Sequence, residues 1–192
     1  MSIVLLLLGV FLWIDVHWFK RLVPAARASM DARFGEGRAR GIITALIVLS
    51  IFLMVQGYRG VDVMPVYTPF EWAGHANNLL MVVAVICIGM GKSKGRMQTW
   101  LRHPMLTGVA VWAVAHLLVN GDVASLILFG GLGFWALGSM VLINKAEGAW
   151  VRPEPGPVSG DVKLLVISAV VFTVIVTIHT FLGYNPFLGT YA

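Results

Sequence analysis

A single cysteine stands in the chain, Cys87, and it lies inside an apolar run. Its isolation excludes an internal disulfide, a Cys-x-x-Cys redox pair, a Cys-x-x-Cys-His haem attachment and a thiolate zinc site. As a small buried apolar residue it needs no further role. Charge is equally scarce: 12% of the 192 residues are charged, about half the roughly 25% of an ordinary soluble domain. A chain so poor in polar groups cannot coat a globular surface. With 58% hydrophobic residues and a mean hydropathy of +0.84, lipid is the solvent the sequence implies. No phosphate loop, hydrolase elbow or zinc-protease helix is present, and there is no internal repeat. The net charge of +5 does not indicate nucleic acid. That reading needs a basic face on a soluble domain, whereas these basic residues fall in short segments between apolar runs, where they act as topology signals.

What is there is a set of apolar runs. A helix needs roughly 20 apolar residues, and at least about 17, to cross the hydrocarbon core. Six stretches qualify or nearly so: Ile3–Phe19, Gly41–Gly57, Trp72–Met90, Pro104–Val119, Val123–Ile143 and Val162–Gly183. The first lacks a basic residue ahead of its apolar run, because Lys20 and Arg21 follow it, so it reads as a retained helix. Asn120-Gly121-Asp122 is a compact turn that makes the fourth and fifth stretches an antiparallel hairpin, with Asp122 placed to cap the fifth. Residues 151–161 read as an irregular linker. Gly130, Gly131, Gly133 and Gly138 allow close helix approach in the fifth stretch.

The basic residues set the orientation. Lys20, Arg21, Arg27, Arg33, Arg38 and Arg40 follow the first run. Lys92, Lys94, Arg96 and Arg102 follow the third, and Lys145, Arg152 and Lys163 the fifth. Only Arg59 remains for the other side. The positive-inside rule places those three segments in the cytoplasm. The expectation is an all-α, polytopic membrane helix bundle of about six transmembrane helices, a single domain over residues 1–192, with both termini outside.

Ionisable groups at membrane depth are costly and carry a functional hypothesis by default. All five histidines, at 17, 75, 103, 116 and 179, lie in or at the ends of these runs, with hardly any carboxylates beside them apart from Asp15. Imidazoles without alternating acids point to metal or haem ligation more than to a proton relay; the plain alternative is hydrogen bonding between helices. His103 directly precedes Pro104, at a helix start. His116 lies about 18 Å further up that helix. Gly108, Trp112 and His116 share one face, a gap, a flat ring and an imidazole that suit a porphyrin or ordinary packing. Lys20 and Arg21 share the face of His17, where they could pair with haem propionates or simply mark the helix end. Depth alone groups His75, His116 and His179.

Several segments carry a resemblance. His17 with its following basic segment, Phe-Gly-Glu-Gly at 34–37, Arg-His-Pro-Met-Leu-Thr-Gly at 102–108 and Trp-Ala-Val-Ala-His-Leu-Leu-Val-Asn-Gly-Asp at 112–122 are four of them. Ser-Leu-Ile-Leu-Phe-Gly-Gly at 125–131, His75 and His-Thr-Phe-Leu-Gly at 179–183 complete the set. Together they resemble the NnrU family over nearly the whole chain. The resemblance implies a polytopic protein of the bacterial inner membrane linked to denitrification or nitric oxide metabolism. It extends to the plant 15-cis-zeta-carotene isomerase, which uses haem b, and implies His17 and His116 as iron ligands here, with His75 and His179 as rivals. A haem-dependent isomerase acting on a lipophilic polyene is then one possible activity, and nitric oxide or a lipophilic small molecule the partner. Ala113 stands where the isomerase has a cysteine, which speaks against a ligand switch.

Two alternatives stay open. Arg-His-Pro-x-x-x-Gly also resembles the cofactor region of membrane methyltransferases that use S-adenosylmethionine. Those proteins add paired glutamates in a cytosolic C-terminal part, whose only counterpart here is Glu147. The other is a non-catalytic membrane partner of a denitrification complex.

Overall fold

A computed structural model describes residues 1–187; the C-terminal end itself, residues 188–192, lies outside the described residues. Seven α-helices account for the architecture: α1 (Ser2–Leu22), α2 (Pro24–Phe34), α3 (Glu36–Gly60), α4 (Ala73–Met90), α5 (Pro104–Val119), α6 (Val123–Glu147) and α7 (Val158–Phe181). Among the described residues there is no strand beyond an isolated bridge between Pro65 and Asp122. Helices α1, α3, α4, α6 and α7 are long and apolar enough to cross a membrane. α5 has 16 residues, about 24 Å of rise, and is the short member of the six expected spans. The chain is thus a polytopic membrane helix bundle.

Helix α2 was not expected. Its 11 residues are too polar to form an apolar run, yet Pro24 sits in its first turn and Arg27 pairs with Asp31 one turn on. None of its residues is buried. Four of the spans, α1, α3, α6 and α7, also run past their apolar limits. α3 starts at Glu36 rather than Gly41, where Glu36 pairs with Arg40. α6 continues beyond Ile143 to Glu147 and stops at Gly148, whose φ of 71° suits glycine. α7 begins at Val158 rather than Val162, which shortens the linker.

The two ends of the bundle are chemically distinct. At one end, Arg21 closing α1 pairs with Glu147 closing α6 at 2.9 Å. Arg102 donates to the Gly148 carbonyl at 2.6 Å, and the Met97 amide donates to Asp161 at 2.9 Å. These contacts bring all three basic segments, with 13 of the 14 Lys and Arg, to a single end. At the other end the α5–α6 turn is fastened to the α3–α4 connection. The Val66 and Tyr67 amides donate to the Gly121 carbonyl at 2.7 and 3.1 Å, and Val123 donates to Met64 at 3.0 Å. A Cβ on Gly121 would stand 2.0 Å from the Tyr67 carbonyl oxygen, so only glycine fits this turn. Asp122 caps α6 as expected, accepting from the Ser125 amide at 3.0 Å.

The helices pack in the spatial order α3, α1, α6, α5, α4, α7. Leu6, Val10, Ile14, Leu106, Trp135 and Ala136 form the core where α1, α5 and α6 meet. α7 is the least enclosed span and buries only Leu164 and Ser168.

Candidate functional site

Three of the five histidines are set in the same way. His17 is hydrogen-bonded through Nδ1 to the Trp13 carbonyl at 2.8 Å, His116 to Trp112 at 2.9 Å and His179 to Ile175 at 2.8 Å. Each partner is the carbonyl four residues back on the same helix. A carbonyl only accepts, so Nδ1 carries the proton and the neutral ring keeps a bare Nε2. Nδ1 bound to a carbonyl is also the arrangement that orients a histidine for metal ligation.

Aromatic rings surround two of these imidazoles. His17 lies 4.2 Å from Trp13 and 4.9 Å from Trp135, centre to centre. His116 stacks on Phe129 at 4.6 Å and lies 5.0 Å from Trp112. Both therefore sit in a Trp-x-x-x-His pair on their own helix, closed by an aromatic residue of α6. This repeated spacing is visible in the sequence and would have added Trp13; Phe129 and Trp135 reach the histidines from another helix, and no spacing signals them. Beside His17, the indole Nε1 atoms of Trp13 and Trp135 are buried without a hydrogen-bond partner. A group carrying acceptor atoms would satisfy them, which fits a cofactor with carboxylates better than plain apolar packing.

Depth separates His17 from His116. Their α6 neighbours, Trp135 and Phe129, are six residues apart, about 9 Å along the helix. Two imidazoles on one iron hold their nitrogens roughly 4 Å apart and their ring centres about 6 Å apart. His116 and His179 both lie in the last turn of their helices, at the end of the bundle away from the basic segments. His75 is exposed in the first turn of α4. Gly108 is not an opening beside Trp112: it is packed on α4, where a Cβ would meet Ile88 at 2.6 Å and the Ala84 carbonyl at 2.8 Å. Arg21 is held by Glu147. Among the described residues no three His, Cys, Asp or Glu side chains converge to hold a metal ion, so an iron here would rely on one or two imidazoles and a macrocycle.

A second cluster lies at the basic end. Arg102, His103, Ile143, Glu147 and Trp150 line a cleft of about 440 Å³. His103 Nε2 is bonded to Asn144 Oδ1 at 2.8 Å, and Arg102 stands 3.9 Å from Glu147. The fold thus joins the Arg-His-Pro segment to Glu147, residues 44 positions apart in the sequence.

In comparisons with known proteins, the family model described as NnrU protein matches residues 5–186. No curated protein and no solved structure matches the chain. The match spans nearly all of a helical bundle with apolar spans, and the chain belongs to the NnrU family.

Proposed function

We propose that the chain is a haem b-binding protein of the bacterial inner membrane, acting in nitric oxide metabolism or in isomerisation of a lipophilic polyene. The observation that carries this reading is the shared setting of His17, His116 and His179. Each has its Nδ1 proton committed to a backbone carbonyl and a bare Nε2 at membrane depth. His116 is common to both pairings, with His17 beside the unpartnered indoles or with His179 at the same end of the bundle. Bound haem supplies an iron centre whose reactivity is set by its axial ligand and burial. The protein's part is to orient the imidazoles, enclose them in aromatic rings and keep water out. Purification after haem-supplemented expression tests this: a Soret band is expected, and its absence overturns the reading.

A second reading is favoured by the cleft at the basic end, where Arg102, His103 and Glu147 meet. These are the residues a membrane methyltransferase would use for S-adenosylmethionine, with Arg102 suited to a carboxylate and Glu147 to a cationic sulfonium. Calorimetric titration with S-adenosylmethionine separates the two. Saturable binding lost in His103→Ala supports methyl transfer, whereas the haem reading expects no binding and an unchanged spectrum in that variant.

A further inference from the structure

Asp15 places a carboxyl group on the outward face of α1. Along that helix Val10 packs at Gly131 and Trp18 at Gly138, so Asp15, between them, lies level with the middle of α6. It is exposed and forms no hydrogen bond or ion pair among the described residues. Lys20 projects roughly 140° round the helix from it, and Arg21 is held by Glu147. Ionisable residues at membrane depth almost always turn to the bundle interior or find a partner; Asp15 does neither within the chain. Its neighbours on that face are Val4, Leu8, Phe11 and Leu22, each more than half exposed. From Val4 through Asp15 to Leu22 these five residues follow one another at intervals of four, three, four and seven. That is the seam spacing of a helix pair that supercoils left-handedly. Leu6, Val10 and Ile14 bury a different face of the same helix against the core.

We propose that α1 pairs with α1 of a second copy of the chain about a two-fold axis along the membrane normal, the two Asp15 side chains hydrogen-bonding to each other within the seam. A two-fold axis sets the same residues of both copies face to face, so the group that meets Asp15 at its own depth is Asp15 of the second copy. One side chain donates as the carboxylic acid and the other accepts as the carboxylate. Hydrocarbon tails offer Asp15 no such partner. In an otherwise apolar seam, a single polar position fixes the register and the number of helices. The pairing makes no use of haem and stands apart from that reading. The test uses the full chain, with Cys87→Ala as background, reconstituted in lipid vesicles from donor- and acceptor-labelled copies that carry the fluorophore at Ser29→Cys on the exposed helix α2. Energy transfer should fall along a monomer–dimer curve as lipid is added. Asp15→Leu is expected to raise the dissociation constant by about tenfold with helix content intact, whereas Asp15→Asn, which still hydrogen-bonds, stays near the parent chain. Oxidative cross-linking in the same background, without the label, locates the seam: Phe11→Cys gives disulfide-linked dimers, and Val166→Cys on the exposed face of α7 does not. Transfer no greater than random crowding in the parent chain, an Asp15→Leu curve equal to the parent's, or cross-linking at Val166→Cys equal to that at Phe11→Cys overturns the proposal.

Discussion

Trp13 and Trp112 each stand one turn before a histidine, and the pairing of ring with imidazole is the local unit from which the site is built. The histidines were legible in the sequence because ionisable residues stand out in apolar runs. Their partners were less so. Trp135 and Phe129 reach their histidines from α6, and Glu147 reaches Arg21 across 126 positions. Contacts of that kind depend on which helices are neighbours, and apolar patterning alone does not say. Gly108 shows the same limit: its face was readable, but not that α4 fills it. At this scale the ligand pair can be decided. If His17 is the second ligand, His17→Ala should change the spin state or empty the site, and His179→Ala should leave the haem spectrum intact. The reverse pattern assigns His179. His75→Ala should be silent in either case, because that side chain is exposed in the first turn of α4.

At the scale of elements, hydropathy located a helix in all six expected stretches, five of them long and apolar enough to cross a membrane, because lipid demands a continuous apolar length. It missed α2, whose polar sequence carries no such demand, and it stopped α1, α3 and α6 and started α7 where apolarity fades although those helices continue. Packing between elements rests on close approach. A Cβ on Gly57 would stand 2.3 Å from the Leu6 amide nitrogen and 2.6 Å from its Cα, so α1 and α3 meet backbone to backbone. Gly57→Leu is expected to destabilise the protein by more than about 3 kcal/mol, at the upper end for overpacking, since no side-chain rotation relieves a backbone clash. Gly37→Leu on the same helix has nothing within 4 Å and should be neutral. Unfolding of both variants in detergent, read by circular dichroism, checks the contrast; equal stability would mean that α1 and α3 do not pack as described.

For the whole molecule, the gathering of three basic segments at one end turns a count of residues into a spatial asymmetry. The positive-inside rule then places that end in the cytoplasm. Alkaline phosphatase fused after Asp62 should be active, and fused after Lys94 inactive; the opposite pattern would invert the bundle. In that orientation His116 and His179 lie towards the outer half of the membrane and His17 towards the inner half, with Phe129 of α6 beside His116 and Trp135 of α6 beside His17. The most direct measurement of the central claim is haem stoichiometry by pyridine haemochrome on purified wild type and His116→Ala. One haem b per chain is predicted for wild type, and sharply reduced haem for a variant that still inserts and keeps its helix content. Haem-free wild type after haem-supplemented expression, or full retention by His116→Ala, would contradict it.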